Sequence, residues 1–326
     1  MMKAAVIERL GGVPQYREVV EPVAPEGGEV AQVRAAAIKN IERMLVAGSH
    51  YGSAELQLPA QVGLDAVVQL ADGRRVYAGA TPPAGAMAEY LAVRPQMVAE
   101  VPDGVPDAVA AALPNAAVSA WFSLEHAAGV QPGASVLVLG ATGVTGALAV
   151  QLAKHQFGAG QVTAVGRDEA RLRSLADQGA DRVIRIGVLS DLGEAVRAVH
   201  TDRPIDVVLD YVWGPPAEQV LGALGNEELA AGFHRTRYVQ IGEGAGATIE
   251  LPAAVLRSAG VELVGQGAGS VPKEAFARVL PEILPALFEL LDRGVLGVQT
   301  VERPLAGVAD AWLEPTSSGV RTVLVP

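Results

Sequence analysis

Residues 135–139, Ser-Val-Leu-Val-Leu, form an unbroken apolar run that ends in Gly140-Ala141-Thr142-Gly143-Val144-Thr145-Gly146, and an amphipathic stretch over 144–157 follows at once. A short apolar run of this kind reads as a strand buried on both faces. The glycines let the backbone turn sharply and approach a ligand closely. The helix behind them offers free N–H groups and a positive dipole end, a site for a pyrophosphate. Glycines can also merely make a turn, so the following pattern decides. Apolar runs at 161–165, 182–186, 205–209, 237–241 and 261–264 alternate with helical stretches at 168–178, 191–199 and 215–224. That alternation predicts an α/β fold with a Rossmann doubly wound parallel sheet, and the glycine turn falls in its first βα unit, where a dinucleotide binds.

The first third of the chain is different. Short strand-like runs at 3–7, 16–20, 29–38, 62–70, 75–78 and 88–93 are separated by Gly and Pro turn signals, which predicts an antiparallel, partly closed sheet. Residues 108–124 read as a buried helix followed by a turn, too short and too interrupted by Pro114, Asn115 and Ser119 to cross a bilayer. One long helix over 273–293 and a closing strand at 322–325 complete the pattern. With 326 residues, two cores are expected, divided as 1–114, 115–256 and a return segment 257–326 that completes the first domain.

A net charge of −11 without a Lys/Arg cluster argues against nucleic acid and anionic membranes as partners. The absence of cysteine excludes disulfides, thiolate zinc sites, iron–sulfur clusters and a cysteine nucleophile. The charged N-terminal residues, unlike a signal peptide, predict a cytoplasmic location. The five histidines, at 50, 126, 155, 200 and 234, have no ligand-like spacing.

The end of the second strand of the α/β unit selects the cofactor. An NAD site places Asp or Glu there, about 20 residues after the glycine turn, for the ribose 2′-OH. Here Gly166 holds that position, Arg167 follows and Arg171 lies one helical turn on. A small residue with guanidinium groups makes room and charge for a 2′-phosphate, so the cofactor expected is NADPH. Two alternatives stay open: Arg167 and Arg171 as solvated charges, and Asp168 as the ribose acid one place late.

These residues and the β-rich domain before them resemble the medium-chain dehydrogenase/reductases, in the zinc-independent, quinone oxidoreductase-like branch. The stretches that carry the likeness are 37–42 with Gly48-Ser49-His50-Tyr51, Gly63-Leu64-Asp65, Gly85-Ala86-Met87-Ala88-Glu89-Tyr90, 107–114 with Ser119-Ala120-Trp121, and 318–324. The resemblance implies a GroES-like catalytic domain built from both chain ends around the Rossmann domain, with the active cleft between them. It implies a homodimer paired through the edge strand at 261–264. It also adds Tyr211, Ile241, Gly242 and Arg321 to a cofactor set of Gly140, Thr142, Gly143, Val144, Gly166, Arg167 and Arg171; Tyr211 and Trp213 can equally cap the sheet.

The departures from the family are as informative. Where zinc-dependent members carry Cys, His and Cys, this chain has Lys39, Leu64 and Asn115, and Ile41 and Met44 replace the proton relay. Neither a lysine ammonium nor a leucine ligates zinc, so no metal is expected. The resemblance then implies hydride transfer from NADPH to a quinone or an activated C=C bond. Alternatives are a carbonyl or enoyl reductase of a biosynthetic pathway, and a non-catalytic NADPH-binding sensor or structural protein. Tyr51 is the first candidate donor to the developing oxyanion, equally readable as a packed aromatic. Lys39 is either a second such group or half of a salt bridge, with Glu42 or Asp65, that fills the vacated metal position.

Overall fold

The computed structural model describes residues 1–226 and 232–326. It divides into two compact units, one of Met1–Asn115 with Ala277–Pro326 and one of Ala116–Phe276.

The first unit begins with strands β1 (Met2–Ile7), β2 (Gln15–Val19), β3 (Glu29–Ala37), β4 (Ala60–Gln61), β5 (Asp65–Gln69), β6 (Arg75–Gly79), β7 (Tyr90–Val93) and β8 (Val98–Glu100). Helix α1 (Asn40–Ala47) follows β3. Glu42 at its third position accepts from the backbone N–H of Lys39 at 2.9 Å, half of a capping box, and Gly48 ends the helix at φ 80°. Helix α2 (Asp107–Ala112) follows in this unit; α3 (Pro114–Phe122), set off from it at Pro114 and extended by a π-helical turn over Ser123–Ala128, leads into the second unit. The strand expected over 62–70 starts only at Asp65. Gly63 sits at φ 108°, and a Cβ there would meet the Met87 backbone N at 2.6 Å. The core of this unit gathers Ile7, Val33, Val62, Val68, Val76, Met87, Leu91 and Trp312.

The second unit holds strands β9 (Ser135–Leu139), β10 (Gln161–Gly166), β11 (Arg182–Arg185), β12 (Val207–Asp210), β13 (Arg235–Gln240) and β14 (Gly260–Gly265). Helices α4 (Val144–His155), α5 (Glu169–Asp177), α6 (Leu189–Asp202), α7 (Gly214–Leu224), α8 (Ala253–Ser258) and α9 (Lys273–Phe276) belong to it as well. The six strands are all parallel, in the order β11-β10-β9-β12-β13-β14. Burial explains the order: every residue of β9, β10 and β12 is buried, while β11 and β14 are partly exposed and take the edges. The order reverses between β9 and β12, the switch point at which such sheets bind ligands.

Two expectations need correcting. The boundary expected at 256 lies at 276, because β14 pairs in parallel with β13 and is the sixth strand of the α/β sheet. The single helix expected over 273–293 is instead α9, a π-helical turn over Val279–Ile283, and α10 (Leu284–Asp292). Pro281 and Pro285 each remove a backbone donor and crowd the preceding turn, so the regular ladder cannot run through.

The chain then returns to the first unit. After α10 come β15 (Gln299–Pro304), α11 (Val308–Leu313) and β16 (Val320–Val325). Strand β16 pairs antiparallel with β3 and parallel with β15, so the last residues extend a sheet that β3 belongs to. Among the described residues no helix is long and apolar enough to cross a membrane.

Candidate functional site

In the α/β unit the sheet's carboxyl edge brings together Gly140 after β9, Gly166 at the end of β10, Tyr211 after β12, and Ile241 and Gly242 after β13. The backbone N–H groups of Gly140 and Ala141 both donate to the Val165 carbonyl at 2.9 Å, which folds the turn onto β10. Gly140 has φ 88°, and a Cβ there would lie 2.8 Å from the Val212 side chain. Gly143 precedes α4 in an extended conformation, and no side chain caps this helix, so Val144 opens a first turn whose N–H groups face no competing cap. A Cβ at Gly166 would stand 2.5 Å from the Thr142 methyl, and one at Gly242 would meet the Tyr211 carbonyl oxygen at 2.3 Å. These are close backbone approaches that only glycine permits, and they fit a dinucleotide.

The end of β10 offers no uncommitted acid in the first place. Asp168 is the N-cap of α5, its Oδ1 accepting from the backbone N–H of Arg171 at 3.0 Å. Arg167 is exposed beside it, and Arg171 is half-buried one turn on.

A buried network missed by sequence reasoning holds the loop after β12. Asp210 is fully buried; its Oδ1 accepts from the N–H groups of Val212 and Trp213 at 2.8 and 2.9 Å, and its Oδ2 from the Tyr238 hydroxyl at 2.7 Å. Burial pushes the Asp210 carboxyl up against the pull of those three donors, and burial beside Asp210 pushes the Tyr238 phenol well up. The loop they hold is strained: Trp213 is the only non-glycine among the described residues at positive φ, 55°. Tyr211 turns its phenol inward beside Ser123, and burial raises that phenol too.

In the other unit, Lys39, Glu42 and Asp65 meet. The Lys39 ammonium is 1% exposed and lies 2.7 Å from Asp65 Oδ1 and 2.8 Å from Glu42 Oε1. Burial alone would lower the lysine's pKa; the two carboxylates outweigh it and raise it. Tyr77 hydrogen-bonds Asp65, and burial with that carboxylate pushes its phenol well up. The salt bridge expected with Glu42 or Asp65 is made with both acids at once.

Arg321, expected among the cofactor residues, lies in this unit, because β16 pairs with β3 and carries it there. It is 9% exposed, with Nη1 3.4 Å from the Ile38 carbonyl, and burial lowers its pKa against the favourable fields of Glu42 and Asp65. The four buried charges of Lys39, Arg321, Glu42 and Asp65 sum to zero, which explains how they tolerate burial. Leu64 is 38% exposed. Tyr51 opens a short 3₁₀ turn, 78% exposed, its ring against that of His50 at 4.0 Å. Among the described residues no cluster of His, Cys, Asp and Glu could hold a metal ion.

Residues 144–283 match the zinc-binding dehydrogenase family model. A probable NADPH-dependent quinone reductase of Emericella nidulans is 32% identical over 227 residues, 66% of this chain and 61% of that protein. The chain belongs to the medium-chain dehydrogenase/reductase superfamily, in its quinone oxidoreductase-like branch. A chloroplastic NADPH-dependent alkenal/one oxidoreductase of Arabidopsis thaliana is 32% identical over 56% of this chain and 52% of its own length. The chain thus spans less than two thirds of the length of either relative. A quinone oxidoreductase of Thermus thermophilus, solved alone and with NADPH, superposes over 100% of both chains with a TM-score of 0.80 and 28% identity.

Proposed function

We propose that this medium-chain dehydrogenase/reductase binds NADPH at the glycine turn and reduces a quinone or an enone without zinc. The observation that carries the reading is the Lys39–Asp65–Glu42 cluster. The resemblance aligns Lys39 with a zinc ligand of the metal-dependent members, and an ammonium already satisfied by two carboxylates supports an acceptor that is electron-poor without a metal. The relatives named for quinone and alkenal reduction support that acceptor class.

Bound NADPH supplies the hydride. The N–H groups at the start of α4, from Val144 on, would hold the pyrophosphate, with Gly140, Thr142 and Gly143 shaping the turn that presents them. Gly166, Arg167 and Arg171 take the 2′-phosphate. Tyr211, Ile241 and Gly242 line the cofactor along the carboxyl edge. The quinone gains two electrons and one proton as hydride and a second proton from solvent or an acid, leaving hydroquinone and NADP⁺; an enone is reduced to the ketone with the same balance. Tyr51, exposed and unstrained, is the proposed donor to the developing oxyanion. A homodimer through β14 belongs to the same reading, since an edge strand with a 41% exposed Leu263 invites pairing.

The deciding experiment follows NADPH oxidation with a panel of quinones, enones and ketones, before and after exhaustive chelation with elemental analysis. Turnover of quinones or enones that survives chelation is expected. Zinc near one per chain, lost together with activity, or NADPH bound but oxidised by no acceptor, overturns the reading.

A further inference from the structure

The first unit contains a cavity of about 270 Å³. Its floor is four core residues, Ile7, Val46, Ala60 and Val62, each 6% exposed or less. Leu45, Leu56 and Leu64 form its walls, and Pro82, Pro83 and Ala84 one side of its mouth. Glu55 and Gln57 lie exposed at the rim.

The buried charge in this cavity is already cancelled. Glu42 is its one buried acid, and that carboxylate is used on both oxygens: Oε1 faces the Lys39 ammonium at 2.8 Å and the Leu64 N–H at 3.4 Å, and Oε2 takes the Lys39 N–H at 2.9 Å. Gln61 likewise turns its amide oxygen to the Gly85 N–H at 3.3 Å. Inside the rim the polar groups are therefore engaged, and an entering ligand meets chiefly hydrocarbon. Apolar cavities take apolar guests: one of about 150 Å³ lined by Leu, Ile and Phe binds benzene. A cavity nearly twice that size accepts a bicyclic ring or a medium-length branched chain.

We propose that this cavity binds an uncharged apolar substituent of the electron acceptor, an alkyl or isoprenoid chain or a fused ring. This inference rests on the reading of the chain as a quinone or enone reductase. It narrows that class to lipophilic members. Leu64 is then a specificity residue: where a metal ligand would present an imidazole, its isobutyl group gives the acceptor an apolar wall.

The test compares 2-decyl-1,4-benzoquinone with 2-methyl-1,4-benzoquinone under saturating NADPH, with calorimetry of 1-octanol and octylammonium binding. Expected are a kcat/KM at least tenfold higher for the decyl compound, carried by KM, and measurable octanol binding. Ala84→Phe, which puts an aromatic ring into the mouth, brings the ratio of the two kcat/KM values toward one and abolishes octanol binding. Leu56→Glu, at a half-exposed wall position, does the same and stands in if the first variant fails to fold. Equal kcat/KM for the two quinones in the unmodified protein overturns the inference while leaving the quinone reading intact. A decyl preference unchanged in both variants overturns it too, as does octylammonium binding tenfold tighter than octanol. Failure of both quinones and all enones to oxidise NADPH sinks the parent reading instead; octanol binding lost in the variants would still support an apolar site.

Discussion

At the scale of single residues, two substitutions separate cofactor choice from charge burial. Arg167 is exposed beside Gly166, and Asp168 is spent on the cap of α5. Arg167→Ala should therefore erase most of the preference for NADPH over NADH in equilibrium titrations, a loss of about 1.5–3 kcal/mol for a charge-assisted phosphate contact. Equal dissociation constants for the two cofactors in the unmodified protein would remove the 2′-phosphate argument. Lys39→Met strands two buried carboxylates, and breaking a buried pair costs about 3–5 kcal/mol, a melting-temperature fall on the order of 10 °C. Turnover per folded molecule should stay near that of the parent; a drop of about 10²-fold with unchanged stability would restore Lys39 as an oxyanion donor. The cluster also sets a pH window. The folded-state pKa of Lys39 lies above the ordinary 10.5, so its stabilisation is complete below that value and is lost as pH rises through the higher folded one. The stability gap between parent and Lys39→Met should thus stay constant from neutral pH to about 10 and narrow only beyond.

At the scale of elements, the loop between β12 and α7 is the piece whose geometry is bought with strain. Asp210 holds Trp213 at positive φ through two backbone donors and is itself held by Tyr238. Asp210→Ala should destabilise the α/β unit by about 2–4 kcal/mol, since charged hydrogen bonds contribute about 1.5–3 each and some are remade to water. It should also weaken NADPH binding, measured by fluorescence titration, because Tyr211 and the close approach of Gly242 to it belong to the same loop. Unchanged affinity would separate this loop from the cofactor. The strands of the α/β unit were readable because each is an apolar run between turn signals. The helices α1 and α10 were harder to read. The first depends on a cap supplied by Glu42, and the second is set off by prolines inside an otherwise helical pattern.

At the scale of the whole molecule, light scattering at micromolar concentration should give twice the 33.6 kDa chain mass. A monomer mass would count against pairing through β14. The local pattern of residues sufficed for the α/β unit, its glycine turn and the small residue at the end of β10, because strand burial, turn glycines and helix starts are properties of neighbouring residues. Only the tertiary structure decided that Lys39 faces both Glu42 and Asp65, and that Arg321, arriving 282 positions later on β16, lies within the field of the same two acids. The same holds for Tyr238, which reaches Asp210 from the neighbouring strand. Side-chain charges are long-ranged and insensitive to spacing along the chain, so their partners are chosen by sheet pairing, which brings distant segments together; burial then makes each choice obligatory.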